Sequence, residues 1–411
     1  MIIELVSIGD ELLKGVTLNS NVAYIARKLQ ESGYDVARQL TLPDEKNAMA
    51  EGLREVLNRA DLVISTGGLG PTLDDQTRAV AAELFGSDFR FDEQVAKELH
   101  RRFGDALSSL KDQATVPTKA RVLLNSVGTA PGLIFAENGK TLILLPGVPL
   151  EMHSMFSEQV IPYLEKTAPS NSRKQVSELH FSILIENAVD PHLRKLCTLF
   201  PAVEAGIYPA WGTLSVVLRS VDAAQLKSFE NELQKLFGAY AYVSSSGKIE
   251  EAVHAWFLEN GKTLAFAESC TGGTMASHIT ALADASRYFL GSLVTYSNAM
   301  KERILGVSPE TLKTQGAVSE ETVREMLSGV FKQTDADYAI AVSGIAGPSG
   351  GSAQKPVGTI WAAIGERGKD PDVGTFIAKG NRQSIILSTT NQLLGALYRK
   401  VTLGINAFPI R

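Results

Sequence analysis

The stretch TLAFAESCTGGTMASHITALA, Thr263–Ala283, places a short apolar run, TLAF, against a segment that reads as a helix, with the polar corner AESCTGG between them. An apolar run that turns at paired glycines into a helix is the strand-to-helix step of an open α/β sheet, in which ligands lie beyond the carboxyl ends of the strands. Ser269 and Cys270 stand side by side at that corner, so either is a candidate nucleophile. Gly272 and Gly273 leave the backbone approachable, and the positive end of the helix dipole is expected to favour a substrate phosphate or an oxyanion there.

The alternation continues in both directions. Strands are expected near Leu290–Tyr296, Ala339–Ser343 and Thr359–Ala363, before a long helical pattern, RQSIILSTTNQLLGALYRKV. Near the N-terminus, IIELVSI and DLVIST are β-branched apolar runs of the kind parallel strands produce, and NVAYIARKLQESGY between them has helical spacing. Asn19 or Ser20 caps that helix and Gly33 ends it, giving a βαβ opening. A further strand, TLILL, precedes PGVPLEMHSMFSEQVIPYLEK, and two polar stretches, APSNSRK and SSSGK, bracket a segment that reads β-α-β-α-β. The expected fold class is α/β: two α/β three-layer domains, 1–167 and 249–411, joined by a small α+β module at 175–245.

Composition bounds the function. The chain has 411 residues, 44% hydrophobic and 21% charged, which is the profile of a globular protein with several cores. A net charge of −5 supplies no basic surface for a phosphate backbone, so nucleic acid is not an expected partner. No leader-like N-terminus and no apolar run of roughly 20 residues is present, so a cytoplasmic protein without a membrane segment is expected. Cys197 and Cys270 are far apart and the histidines are scattered, which excludes a disulfide framework or zinc module as the organising feature.

With no histidine in the strand-end loops, the base for a nucleophile must be another group, and Lys301 in VTYSNAMK is the candidate, with Tyr296 to relay or orient the proton. Burial or a cationic substrate must lower the lysine pKa from about 10.4. Asn298 in the same loop, SGIAGPSGG with Ser343, Gly344 and Gly347, and Lys355 in QKPVGT point toward one crevice. Ser319 reads first as a helix N-cap ahead of Glu320 and Glu321. In the first domain, STGGLGPTLDDQT offers Gly67, Gly68, Gly70 and Thr72 to a phosphate-bearing ligand. Asp74 and Asp75, with Asp10 and Glu151, supply hard oxygens for a divalent ion. Gly147 in LPGVPLE lines the same crevice, and the plainer alternative is a tight turn with acidic helix caps.

These motifs carry a resemblance. AESCTGG, VTYSNAMKERILGV, GAVSEE, SGIAGPSGG and KPVGT resemble the C-terminal nicotinamide mononucleotide deamidase domain of the CinA (competence/damage-inducible protein A) family. GDELLKG, STGGLGPTLDDQT, GTAPG and LPGVPLEM resemble its N-terminal, molybdopterin-binding-like domain, and the middle module is similar to a KH domain. The resemblance implies two hydrolytic activities. The third domain would convert nicotinamide mononucleotide to nicotinate mononucleotide and ammonia without a cofactor, with Ser269 as acyl-forming nucleophile and Tyr296 and Lys301 assisting. Its substrate contacts would include Cys270, Thr271, Gly272, Gly273, Asn298, Ser319, Ser343, Gly344, Gly347 and Lys355. The first domain would hydrolyse ADP-ribose to AMP and ribose 5-phosphate with Mg²⁺, Mn²⁺ or Co²⁺, and the chain would be a homodimer. The competing expectation is a first domain that only binds a nucleotide or pterin, as a competence-related interaction module. Two positions depart from the family pattern: Ser343 stands where threonine is more usual, keeping the hydroxyl, and LPDEKN around Asp44 replaces Gly-Asp-Asp.

Overall fold

A computed structural model describes residues 1–72, 75–104, 107–167 and 174–408, which divide into two compact units, Met1–Val176 and Ser177–Arg411.

In the first unit, β1 (Ile3–Ile8), β2 (Val36–Leu42) and β3 (Leu62–Thr66) run parallel. A separate two-stranded ribbon pairs β4 (Phe89–Phe91) with β5 (Thr115–Pro117). The main sheet is completed by β6 (Arg121–Leu123), β7 (Gly132–Glu137) and β8 (Lys140–Leu145), in the order β2-β1-β3-β8-β7-β6. β8 lies parallel to β3, and β7 and β6 are antiparallel. Alternate residues of β1 face opposite cores: Val6 and Ile8 pack with Val63, whereas Ile3 and Leu5 pack with Ile64. Burial on both faces explains the unbroken apolar runs of these strands. The helix Ser20–Glu31 is capped by Asn19 and buries Val22, Ile25 and Leu29, each worth about 1.5–3 kcal/mol of transfer free energy. Its Cβ spacing puts those three on one stripe. β2 has no such signature because it is an edge strand with three consecutive exposed residues.

The second unit contains two sheets. β9 (Gln175–Ser182), β10 (Glu204–Ala210), β11 (Thr213–Ser220) and β12 (Ala241–Tyr242) pair in the order β10-β11-β9-β12. The helices Glu186–Leu199 and Ala223–Phe237 pack on this sheet, so the segment is β-α-β-β-α-β rather than β-α-β-α-β. The additional strand, β10, lies at the edge and carries Gly206 and Pro209, so no buried alternation announces it.

The other sheet contains β13 (Leu264–Glu268), β14 (Phe289–Val294), β15 (Tyr338–Gly344), β16 (Thr359–Glu366) and β17 (Asp372–Ile377), in the order β14-β13-β15-β16-β17. β14, β13 and β15 are parallel, and their carboxyl ends meet: Glu268 pairs with Val294 on one side and Val342 on the other. β13 is apolar on both faces, with Phe266 in one core and Ala265 and Ala267 in the other. The final helix, Arg382–Leu403, packs on one face and also reaches the small module, where the Asn391 amide donates to the Trp211 carbonyl and Arg399 to that of Ala239. The segments expected as the second and third domains therefore share one compact unit.

Candidate active site

The corner after β13 is built by hydrogen bonds between adjacent strand ends. The Ser269 N–H donates to the Val342 carbonyl at 3.1 Å, and the Glu268 carbonyl accepts from the Thr295 N–H at 2.9 Å. Ser297 caps the helix Asn298–Leu305, whose first turn returns Lys301 toward that corner. Lys301 is 1% exposed. Its Nζ donates to the Thr295 carbonyl at 2.8 Å and the Tyr296 carbonyl at 3.3 Å, and it stands 2.8 Å from Ser269 Oγ.

Desolvation lowers the Lys301 pKa to about 8. A neutral amine has two N–H donors and one lone pair. The two carbonyls accept only, so they take the two hydrogens, and the lone pair is left for the Ser269 hydroxyl proton. Cys270 is 6% exposed in the apolar core, and burial raises its thiol pKa to about 12. It therefore carries almost no thiolate at neutral pH.

Glu268 is completely buried, and its carboxylate accepts from the N–H groups of Gly273, Met275 and Ala276 and from the Ser292 hydroxyl. Gly273 reaches this geometry at φ +97°, a conformation few side chains tolerate. The helix N-terminus expected to take a substrate phosphate or oxyanion is thus occupied by the chain's own anion. Among the described residues no oxygen accepts from the N–H groups of Cys270 and Thr271, which lie against the Cys270 sulfur.

Tyr296 is 60% exposed, and its hydroxyl accepts from Arg382 Nη2 at 2.8 Å, while Arg382 Nη1 donates to the Gly347 carbonyl. This corrects the relay expected of the phenol: the backbone carbonyl of Tyr296, not its hydroxyl, contacts Lys301.

In the first unit a crevice opens at the carboxyl ends of β1, β3 and β8, lined by Asn21, Thr66, Gly67 and Gly147 among others. The Asn21 amide donates to Thr66 Oγ1 at 3.0 Å and to the Gly147 carbonyl at 2.7 Å, joining two strand-end loops. A Cβ on Gly67, at φ +113°, would run into the Ile8 carbonyl oxygen, so this glycine is needed for close approach to β1. Gly68 packs equally closely on Thr77.

Comparison with known proteins adds the lineage. Residues 246–401 match the family model described as the CinA C-terminal domain, and residues 4–166 match a probable molybdopterin binding domain. A putative competence-damage inducible protein of Symbiobacterium thermophilum is 41% identical over 381 residues, covering 90% of this chain and 89% of that protein. The chain belongs to the CinA family. A CinA-like protein of Geobacter sp. is 36% identical over 94% of each chain. A crystal structure of a CinA protein of unknown function from Thermoplasma acidophilum is 38% identical over 40% of this chain and 96% of that one, with a TM-score of 0.37.

In this CinA-family chain the expected residues separate by place. Thr271 is buried at the corner with Ser269, Gly272 is exposed on the turn, Ser343 is buried at the end of β15, and Asn298 is exposed at the start of its helix. Gly344 packs so closely that a Cβ there would approach Cys270 Sγ to 3.0 Å, and Gly347 supplies the carbonyl that Arg382 grips. Two residues expected as contacts are engaged within the chain. Ser319 is a buried N-cap whose hydroxyl accepts from the Thr322 N–H. Lys355 donates to the Gln315 and Val318 carbonyls, so its charge braces a loop. Sequence reasoning misses Arg382 and Glu268. The acid in AESC, buried at a strand end, is the signal for Glu268; Arg382 has none, because it opens the last helix far from the other loops.

The metal expectation does not fit the described residues of this CinA-family chain. Asp10 is paired with Lys14 at 2.7 Å, which holds its carboxyl below the usual carboxylate range, and its N–H donates to Asp44 Oδ2. Asp75 accepts from the Thr72 N–H and hydroxyl and packs on Gly70. Glu151 accepts from Asn125 against the Gly128 loop. Asp74 lies outside the described residues, and among those described no three His, Cys, Asp or Glu side chains group as a metal site. No helix among the described residues is long and apolar enough to cross a membrane.

Proposed function

We propose that the second unit is a serine amidohydrolase acting on nicotinamide mononucleotide. The observation that carries this reading is Lys301 Nζ, buried with a pKa near 8, 2.8 Å from Ser269 Oγ.

Neutral Lys301 takes the Ser269 proton as Oγ adds to the carboxamide carbon. The oxyanion is met by the N–H groups of Cys270 and Thr271. The Lys301 ammonium returns its proton to the leaving nitrogen, the C–N bond breaks, and ammonia departs from an ester on Ser269. A water molecule then gives a proton to Lys301 and adds to the ester carbon, releasing the carboxylate and restoring the Ser269 hydroxyl. Arg382 and Tyr296 at the rim suit the phosphate and the cationic ring. Product analysis tests the reading: ammonia and nicotinate mononucleotide should form in a 1:1 ratio, and their absence at any pH between 7 and 9 removes it.

For the first unit we propose ADP-ribose as ligand in the crevice containing Asn21, Gly67 and Gly147, and formation of AMP and ribose 5-phosphate on addition of Mg²⁺, Mn²⁺ or Co²⁺ would restore a metal role there. Binding without AMP formation across those ions supports the non-catalytic interaction module instead. The proposal includes a cytoplasmic homodimer, which light scattering checks for mass.

A further inference from the structure

Glu268 sits one residue before the nucleophile and is 0% exposed. Among the described residues no lysine, arginine or histidine pairs with it. A buried carboxylate normally costs several kcal/mol, and here four donors offset that cost. Oε2 accepts from Gly273 N–H at 3.0 Å and Met275 N–H at 3.1 Å; Oε1 accepts from Ala276 N–H at 3.0 Å and Ser292 Oγ at 2.9 Å. The helix Thr274–Thr280 needs no buried anion to begin, since a solvated serine or asparagine satisfies the same amides.

The four donors come from both sides of the nucleophile. Gly273, Met275 and Ala276 belong to the turn and helix that leave Ser269, whereas Ser292 belongs to β14, the strand that leads to Thr295 and Tyr296. The Glu268 main-chain carbonyl also accepts from Thr295 N–H, and the Thr295 and Tyr296 carbonyls orient Lys301. One residue therefore joins the piece that carries the hydroxyl to the piece that aims the amine.

We propose that Glu268 is a positioning residue that sets the Ser269–Lys301 distance, an inference that rests on the serine–lysine reading above. Its carboxylate touches neither Ser269 Oγ nor Lys301 Nζ, its partners being Gly273, Met275, Ala276 and Ser292. Its effect is confined to geometry, and a displacement of a few tenths of an ångström in a near-attack arrangement is costly to rate.

In Glu268→Gln an amide N–H₂ meets donors that require an acceptor, so the corner shifts. We expect kcat for nicotinamide mononucleotide to fall at least 30-fold with KM within twofold. The rate at which a fluorophosphonate labels Ser269, followed by mass spectrometry, should fall in parallel in protein shown by circular dichroism and thermal melting to be folded. A merely structural role predicts a lower melting temperature with kcat and labelling rate of the folded protein within threefold of the parent, and that result overturns the proposal. If Glu268→Gln does not fold, Ser292→Ala removes one donor without changing charge. A threefold or greater loss of labelling rate then supports positioning, and an unchanged rate sinks it. Labelling needs no nucleotide. A chain labelled normally at Ser269 but inert toward nicotinamide mononucleotide discredits the substrate reading alone; failure of the parent to be labelled removes the nucleophile and this proposal together.

Discussion

Arg382 and Tyr296 are 86 positions apart, yet the guanidinium of the first donates to the hydroxyl of the second at 2.8 Å. The pair ties the exposed cation of the final helix to the residue whose main-chain carbonyl also accepts from Lys301. If Arg382 holds the substrate phosphate, Arg382→Ala should raise KM about 10- to 100-fold with a smaller change in kcat, the scale of one charged hydrogen bond. Tyr296→Phe should cost less than tenfold in kcat, because the Tyr296 carbonyl that holds Lys301 is retained. Steady-state kinetics of both variants decide this, and a loss confined to kcat in Arg382→Ala counts against phosphate binding.

Ser269 and Cys270 separate by environment. Ser269→Ala should abolish ammonia release, and Cys270→Ala should keep kcat within about threefold while lowering stability by ~1 kcal/mol through lost core packing. The thiol is buried and held protonated, whereas the hydroxyl has a base beside it. The opposite pattern in an ammonia assay would reverse the assignment.

The acid limb of the pH–rate profile should report Lys301. Only its neutral form accepts a proton, so kcat/KM should rise with pH and level off above about 8, the value to which burial lowers the group. The sign for stability follows from the same shift. The unfolded chain binds more protons than the folded chain between pH 8 and 10.5, so the contribution of Lys301 to stability improves as pH rises through that window. The stability of the parent relative to Lys301→Met should increase across it in denaturant titrations. A profile flat from pH 6 to 9 argues against lysine as the base.

Lys355 tests the difference between a ligand contact and a brace. Lys355→Ala removes the donor from the Gln315 and Val318 carbonyls, and a loss of about 1–2 kcal/mol in stability is expected with KM within twofold. A tenfold rise in KM at unchanged stability would restore the substrate-contact role.

Legibility in the sequence depends on burial. Strands with two buried faces, such as β1, β3, β13 and β15, announce themselves as apolar runs, whereas the edge strands β2, β10 and β17 do not. Asn19 and the final helix are equally readable, because caps and helical periodicity are local. Ser319 looks like both a cap and a contact, and only the direction of its hydrogen bond distinguishes them.

Residue type and near-neighbour spacing are enough to establish the α/β class, the strand-end placement of AESCTGG and the need for a base other than histidine. Which neighbour at that corner has an amine beside it comes from the packing of distant segments. Parallel pairing of β13 with β14 brings Lys301 to Ser269 and buries both, and the same packing removes water from Cys270 and holds its thiol protonated. It also turns the Glu268 carboxylate inward to occupy the helix N-terminus that the glycine-rich corner suggests for a ligand. Desolvation and the direction of a hydrogen bond depend on contacts between segments far apart in the chain, and local sequence pattern does not encode them.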